Sequence, residues 1–273
     1  MERQRITIFT KAWKEPLPAL ADKLAALGVD GVELAVRPGY QIEPGEGVAA
    51  GLSDAVGMFG TAGLVIDSIA GDVDERTIAA CGDVGIGMIR TMARIDMGQG
   101  YGVCIDALRR HFDEMLPHLE RHGVTVGVQN HAGHFTGTAG TMRLVGGFDP
   151  ARVCIVLDMA HCALAGEPVD MAFDIAKSHV TRLVNFKNGF WERRNGPEEQ
   201  ALHKVRWTTH RHGAYDWADF AEALRGAGYA GTFCLPAEYS EPCGAGQRMG
   251  DAILPFVRED LARLRGLLGS AAD

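Results

Sequence analysis

One pattern of apolar and polar positions recurs along the chain. An amphipathic stretch ends at a glycine, two or three residues follow, and a short apolar stretch comes next. The pattern appears at 24–34, 81–90, 118–128 and 224–233. Glycine suits the left-handed residue that ends a helix, and a short loop then leads into a strand. Helices and strands that alternate in this way predict a parallel sheet.

Eight strand–helix units account for nearly the whole chain. Strands are predicted near 5–9, 31–36, 64–69, 86–91, 124–130, 153–158, 180–187 and 231–238. Helices are predicted near 16–27, 46–60, 74–82, 101–122, 138–146, 168–178, 216–226 and 248–267. A closed (β/α)8 barrel takes about 250 residues, so we expect residues 1–273 to form one α/β domain of this class. The alternative is an open doubly wound sheet, but no G-x-G-x-x-G follows the first strand.

Strand alternation places polar side chains together at one end of this barrel. In the fifth strand Val124, Val126 and Val128 share one face, which suits packing against helices, and Gln129 lies on the opposite face. The same alternation gives four inward-facing polar residues at strand ends: Gln129, Asp158, Asn185 and Glu238, with His131, His161 and Lys187 beside them. Barrel enzymes carry their chemistry at the carboxyl ends of the strands.

Asp158 is the most informative of these residues because it ends the apolar run 153–157. An unpaired buried carboxylate is costly, so Asp158 should be paired, hydrogen-bonded or bound to a metal. Alternatively it caps the turn that follows. Four oxygen donors that converge at a barrel mouth suit a hard divalent ion such as Mn²⁺ or Mg²⁺. Such an ion would hold a hydroxy-ketone through two oxygens and stabilise an enediolate.

Composition and charge narrow the class of protein. With 47% hydrophobic and 23% charged residues, the chain has the composition of a soluble globular protein. A net charge of −8 gives no electrostatic case for binding nucleic acid or a membrane surface. We expect no signal peptide and no bilayer-spanning stretch. Six scattered cysteines without a CxxC pair predict buried, reduced thiols and a cytoplasmic location: Cys81, Cys104, Cys154, Cys162, Cys234 and Cys243.

Six motifs in a fixed order cover nearly the whole length. They are G-V-E-L at 31–34, V-Q-N-H-A-G-H at 128–134, L-D-M-A-H at 157–161, L-V-N-F-K-N at 183–188, H-G-A-Y-D-W at 212–217 and G-Y-A-G-T-F-C-L-P-A-E-Y at 228–239. Through them the chain resembles the xylose isomerase-like barrel family, which includes sugar-phosphate isomerases and epimerases. The resemblance implies a small sugar-like substrate. Barrels of this family often pair into homo-oligomers, although the sequence itself indicates no oligomeric state.

The resemblance also implies a metal site, from which this chain departs at two positions. The family's metal is usually held by Glu, Asp, His and Glu at the ends of strands five to eight, with Mn²⁺ or Mg²⁺ favoured here over Zn²⁺. Asp158 and Glu238 match this pattern, whereas Gln129 stands where Glu is usual and Asn185 where His is usual. Family members that epimerise use the paired glutamates as opposed acid and base. Gln129 cannot take up a proton, so catalysis here needs a different base.

His131 is the first candidate for that base and Glu238 the second. A histidine has an ordinary pKa of about 6.5 and takes up protons near neutral pH. Alternatively, His131 positions neighbouring site residues without contacting substrate, or it lies at the start of the next helix. Lys187 would stabilise an oxyanion or bind an acidic group; the alternative is an ion pair with Asp158 or Glu238 that fills the place of a metal. His161 would orient substrate or pair with a carboxylate.

The segment 188–215 is the longest stretch outside the repeated pattern, and it is basic and aromatic. Long segments of this kind are often lids or binding loops. The alternative is that it packs on a partner subunit. The predicted substrate contacts are Trp191, Trp207, His210 and His212 from this segment, with His161 and Arg37 from the strand ends. Glu33, on the second strand, is expected to be a buried hydrogen-bonding group.

Three functional hypotheses follow. The first is a metal-dependent isomerase or epimerase that enolises a sugar or keto-sugar. The second is a lyase or dehydratase, because elimination needs one base and one acid. The third is a non-catalytic barrel that binds a sugar-like ligand or a partner protein; it predicts no metal and an ion pair of Lys187 at the mouth. The family's endonucleases of abasic sites use a multi-zinc site and a basic surface, and the acidic balance argues against that activity.

Overall fold

Eight parallel strands close into a barrel in this computed structural model, which describes residues 4–241 and 246–269. The barrel strands are β1 Ile6–Phe9, β2 Gly31–Ala35, β3 Val65–Ala70, β4 Met88–Met92, β5 Thr125–Gln129, β6 Val153–Asp158, β7 Leu183–Asn185 and β10 Thr232–Leu235. Each strand pairs with its neighbour in the chain, and β10 pairs in parallel with both β7 and β1. The predicted (β/α)8 barrel is confirmed, and the alternative of an open sheet is excluded.

Helices lie between the strands, as the repeated pattern predicts. They are α1 Leu17–Ala25, α2 Val48–Thr61, α3 Glu75–Asp83, α4 Tyr101–His122, α5 Thr138–Val145, α6 Met159–Leu164, α7 Val169–Ala176, α8 Trp217–Gly226 and α9 Leu254–Leu268. The short helix α6 was not expected. It begins directly after β6 because the side chain of Asp158 caps it and accepts a hydrogen bond from the backbone N–H of His161 at 3.4 Å.

The segment after β7, which was predicted as a long loop, contains regular structure. Strands β8 Asn188–Arg193 and β9 His203–Thr208 pair in antiparallel fashion and form a hairpin outside the barrel. The barrel strands before and after it are also shorter than expected. Lys187 lies beyond the end of β7 and Glu238 beyond the end of β10. Ala237, just before Glu238, has a positive φ of 54°, so the chain turns sharply there.

The alternation of side chains follows the predicted parity. Val126 and Val128 belong to the apolar layer between strands and helices, whereas Cys154 and Val156 belong to a separate cluster inside the barrel. Gly127 also faces inward. A Cβ at that position would lie 2.2 Å from Cε of Met88, so glycine leaves the room that this side chain fills. The barrel is therefore a packed core below the polar mouth.

Two other expectations concern bilayer-spanning helices and the state of the thiols. Among the described residues, no helix combines the length and the apolar character needed to cross a bilayer. Five cysteines are buried and free: Cys81, Cys104, Cys154, Cys162 and Cys234. Burial raises the pKa of the Cys81, Cys154 and Cys162 thiols to about 12, so they are held in the neutral form. Cys243 lies outside the described residues.

Candidate active site

A buried arginine–glutamate pair forms one side of the barrel mouth. Arg90 at β4 donates to both carboxylate oxygens of Glu33 at β2, each at 2.6 Å. Burial alone would lower the pKa of Arg90, but the charge of Glu33 outweighs it and raises that pKa. Arg90 also donates to Oε1 of Gln129. Glu33 is a buried hydrogen-bonding group, as the sequence suggested.

Asp158 is held by two amide side chains, those of Gln129 and Asn185. Gln129 Nε2 donates to Asp158 Oδ2 at 2.7 Å, and Asn185 Nδ2 donates to the same oxygen at 3.2 Å. The orientation of Gln129 follows from Arg90, whose N–H requires the amide oxygen as its acceptor. Both amides thus turn donors, not oxygens, toward Asp158. The carboxylate of Asp158 is fully buried, and these donors satisfy it together with its role as the cap of α6.

Lys187 lies between the two carboxylates of the mouth. Its Nζ is 2.8 Å from Oε2 of Glu238 and 3.4 Å from Oδ2 of Asp158, and it also forms a hydrogen bond of 3.0 Å with Nε2 of His161. Burial alone would lower the pKa of Lys187, but the two carboxylates outweigh it and raise that pKa. The ammonium form is therefore stable although the side chain is only 6% exposed.

Glu238 is bound by two lysines. Lys11 donates to Oε1 at 2.6 Å, and Lys187 donates to Oε2 at 2.8 Å. Burial acts to raise the pKa of Glu238, but the charges of Lys187 and Lys11 outweigh it and hold that pKa well below the usual range. A carboxylate with so low a pKa is a weak base. In this arrangement Glu238 forms ion pairs with Lys11 and Lys187, and its role as a base stays a prediction.

Two histidine rings lie against each other beside Lys187. The ring centroids of His131 and His161 are 3.7 Å apart. Burial and the charge of Lys187 lower the pKa of both, that of His161 well below its ordinary value. Nδ1 of His131 lies 2.7 Å from the backbone oxygen of Ala132, so Nδ1 carries the hydrogen and Nε2 carries the lone pair. The His131 ring is therefore neutral near pH 7, with Nε2 free to accept a proton or a hydrogen bond.

A cavity of about 60 Å³ opens at the mouth beside these residues, although Glu33, Asp158 and His161 do not line it. Its lining brings together His131, Glu238, Lys187, Gln129 and Asn185 from the predicted set. Arg37, one of the predicted substrate contacts, also lines the cavity. A few waters would fill such a volume, so a sugar-sized ligand would place its reacting end here and extend toward solvent.

The four predicted metal ligands do not fit a divalent ion in this arrangement. Lys187 already supplies positive charge between Asp158 and Glu238, and the amide oxygen of Gln129 is bound to Arg90. Oxygen donors left for an ion are the two paired carboxylates and Oδ1 of Asn185, which is buried with no hydrogen-bond partner among the described residues. Within 4–241 and 246–269, no group of three or more His, Cys, Asp and Glu is placed to hold a metal.

The four substrate contacts predicted in the segment 188–215 lie at different distances from the site. The Trp207 ring lies 4.3 Å from Nζ of Lys187 and 5.3 Å from the His161 ring, so it covers the site. Trp191 is 50% exposed, and its Nε1 donates to the backbone oxygen of Leu164. His210 forms a 3.0 Å contact with the buried Asp260, and His212 is exposed. None of these four residues lines the cavity itself; only Trp207 contacts residues of the site.

Arg90, Phe9 and Met92 also line the cavity and were not among the residues predicted for the site. The sequence does contain a signal for Arg90. It is a charged residue within an apolar strand, and it has the same parity as Met88 and Met92, which puts it inside the barrel. The aromatic ring of Phe9 carries no comparable indication in the sequence.

Comparison with known proteins identifies the class of this barrel. The family model described as xylose isomerase-like TIM barrel matches residues 21–259. The chain therefore belongs to the xylose isomerase-like TIM barrel family, as its motifs suggested. No curated protein sequence matches it.

Solved structures of similar fold cover almost the entire chain. The 3-keto-D-glucoside 4-epimerase of E. coli is 16% identical with a TM-score of 0.67, covering 96% of this chain and 99% of its own. Mannonate dehydratase of Streptococcus suis is 14% identical with a TM-score of 0.67, covering 98% and 94%. A xylose isomerase-like barrel of Mycobacterium smegmatis in complex with magnesium is 13% identical with a TM-score of 0.66, covering 98% and 97%. At such identities the similarity establishes the fold.

Proposed function

We propose that this barrel is an isomerase that enolises a small sugar-derived keto compound, with the ammonium of Lys187 in the place of a divalent metal. The observation that carries this proposal is the position of Lys187 Nζ between Asp158 and Glu238 at the cavity. The similarity in fold to an epimerase and a dehydratase of sugar derivatives supports an enzyme of this general kind.

His131 takes the proton in this proposal. Nε2 carries the lone pair, and the lowered pKa keeps the ring neutral near pH 7. The C–H bond beside the substrate carbonyl breaks, its proton goes to Nε2, and its electron pair forms the C=C bond of an enolate. Return of the proton to the neighbouring carbon, with a proton shift between the two oxygens, completes an isomerisation.

Lys187 stabilises the oxyanion that forms. Two of its contacts, with Glu238 and His161, have hydrogen-bond geometry, but the contact with Asp158 is longer, at 3.4 Å. One N–H of the ammonium is thus loosely held and can donate to a substrate oxygen. A buried cation that is in place before the reaction stabilises developing negative charge more strongly than water does.

Asn185 supports a substrate that carries hydroxyl groups. Its Oδ1 is buried at the cavity and accepts no hydrogen bond in the part of the chain that the structure describes. A buried acceptor without a partner costs free energy, roughly 1–3 kcal/mol, that a donor on a ligand would recover. A hydroxyl of a sugar derivative is such a donor.

A lyase is the second candidate, favoured by the arrangement around Gln129. Gln129 is held between Arg90 and Asp158, so the site has one imidazole base and no second free carboxylate opposite it. Elimination of a hydroxyl beside the enolate needs one base and one acid. The same first step, proton removal by His131, leads to both outcomes.

Exchange of substrate hydrogen with solvent deuterium tests the shared step before the product is known. The protein is incubated in D2O with ketohexoses and with sugar-derived keto acids, with and without EDTA, and mass spectrometry follows the substrate. We expect exchange that EDTA does not diminish and that is lost in His131→Asn and Lys187→Met. Lys177→Met is the matched control, because Lys177 is exposed and pairs with Asp174 on the surface.

Three outcomes would contradict the proposal. Exchange that EDTA abolishes and Mn²⁺ restores would instead support a metal-dependent isomerase. Exchange that survives in a folded His131→Asn protein would remove the proposed base. The non-catalytic barrel also predicts the Lys187 ion pairs; it would be favoured if no compound exchanged while sugar-like ligands bound.

A further inference from the structure

Four cationic side chains line the cavity, and three of them have anionic partners. Lys11 and Lys187 pair with Glu238, and Arg90 pairs with Glu33. The fourth is Arg37, just after β2. Within the described residues, no acid lies within 4.0 Å of its guanidinium and no hydrogen bond engages it. Arginine side chains held near a cavity without an acid are suited to bind an anion.

The surroundings of Arg37 make its positive charge costly. Burial and the nearby charge of Arg90 lower the pKa of Arg37. The guanidinium carbon of Arg37 lies 5.3 Å from the centroid of the Phe9 ring, and that of Arg90 lies 4.6 Å from the same ring. Two guanidinium groups therefore lie near one aromatic ring, and Glu33 is bound to only one of them. A ligand anion beside Arg37 would balance the second charge.

The backbone holds Arg37 in place. Its N–H donates to the oxygen of Ile42 at 3.1 Å, and its carbonyl oxygen accepts from the N–H of Tyr40 at 3.1 Å. The hydroxyl of Tyr40 donates to the backbone oxygen of Lys11 at 3.2 Å. The turn that carries Arg37 is thus tied to the segment that carries Lys11, and little ordering of the backbone is needed when a ligand binds.

We infer that Arg37 binds a carboxylate of the substrate, which makes the substrate a sugar-derived acid. The planar guanidinium matches a carboxylate with two parallel hydrogen bonds. His131 and Lys187 line the same small cavity, so a carboxylate at Arg37 would leave the neighbouring carbons of a short chain near Nε2 and Nζ. This inference rests on the proposed function for the reacting end of the molecule, but the binding of the acid group is testable without turnover.

Isothermal titration calorimetry with three probes of equal chain length tests the inference. The probes are D-gluconate, which carries a carboxylate, D-sorbitol, which is neutral, and D-sorbitol 6-phosphate. We expect gluconate to bind wild-type protein and Arg37→Gln to weaken that binding about 10- to 100-fold, the loss of a charge-assisted bidentate contact. Arg37→Lys keeps the charge without the planar fork and should fall between. Arg76→Gln on the exposed face of α3 is the matched control.

Three outcomes would overturn the inference, and a fourth would separate it from the proposed function. Equal affinity of wild type and folded Arg37→Gln for gluconate would show that Arg37 holds no carboxylate. Preference of wild type for the phosphate, lost in Arg37→Gln, would assign a phosphate subsite instead. Binding of sorbitol as tight as that of gluconate would show that the subsite is not anionic. Gluconate binding that depends on Arg37, with no deuterium exchange on any compound, would retain the subsite and reject the proposed chemistry.

Discussion

The ammonium nitrogen of Lys187 lies 2.8 Å from Oε2 of Glu238, and both residues lie beyond the ends of their barrel strands. This contact gives the mouth of the barrel a fixed positive charge between its carboxylates. In a barrel of this family it changes the chemistry that the site supports, because an ammonium donates hydrogen bonds and does not bind two substrate oxygens as a metal does.

The buried pair of Arg90 and Glu33 is expected to dominate the stability of the mouth. Arg90→Met would leave Glu33 buried without its partner, so we expect a loss of about 3–5 kcal/mol in the free energy of unfolding. The double variant Glu33→Leu/Arg90→Met removes both charges and should be less destabilised than Arg90→Met. Urea denaturation of Arg90→Met, Glu33→Leu and the double variant measures these losses. A double variant as unstable as the sum of the two single variants would show that the pair is not the cause.

The pH dependence of the reaction should report His131. A protonated ring cannot take a proton, and the pKa of His131 is lowered by burial and by Lys187. Exchange rates should therefore be independent of pH above about 6.5, the ordinary value, and fall only at lower pH. Rates of deuterium exchange between pH 4.5 and 8 measure this limb. A midpoint above the ordinary value would conflict with the buried, neutral base.

Stability should fall in acid, in part because of His161. The unfolded chain binds a proton at His161 near pH 6.5, whereas the folded chain binds it only at much lower pH. The free energy of unfolding should therefore decrease as pH falls below about 6.5, by up to about 1.4 kcal/mol per pH unit from this group. His161→Gln should reduce the slope. His203→Gln, on the exposed part of β9, is the control; an unchanged slope in His161→Gln would refute the assignment.

The two tryptophans of the hairpin should differ in their effect on activity. The Trp207 ring lies over Lys187, and the cation–π contact contributes about 1–2 kcal/mol where water is excluded. Loss of this contact in Trp207→Leu should therefore lower kcat/KM about tenfold. Trp191→Leu, on the same hairpin but half exposed, should remain within a factor of about two of wild type. Equal losses in both variants would indicate that the hairpin as a whole, and not the ring over Lys187, matters.

Much of the fold could be predicted because it depends on local patterns. Glycines after amphipathic stretches mark the passage from helix to strand, and alternation along β5 and β6 separates the barrel interior from the helix layer. The same alternation brought Gln129, Asp158 and Asn185 to one end. The hairpin β8–β9 could not be predicted from this repeated pattern, because its strands lie outside the barrel. Only β8 begins near the end of a predicted strand.

The contacts of the site were harder to predict because they join distant parts of the chain. Glu33, Arg90 and Gln129 come from three different strands, and nothing local links them. His210 and Trp191 were predicted as substrate contacts because they lie in a basic, aromatic segment. In the structure His210 contacts Asp260, and Trp191 donates to the backbone oxygen of Leu164. Lys187 was expected either at an oxyanion or in an ion pair. The ion pairs are present, and the oxyanion role stays a prediction.

Metal content tests the role of Lys187 most directly. Elemental analysis of purified, undialysed protein should be made on wild type, on Lys187→Met and on Asp158→Ala. We predict that wild type holds far less than one Mn, Mg or Zn per chain, because the ammonium occupies the space between Asp158 and Glu238. One ion per chain in wild type that is lost in Asp158→Ala would contradict this prediction and establish the metal site of the family in this protein.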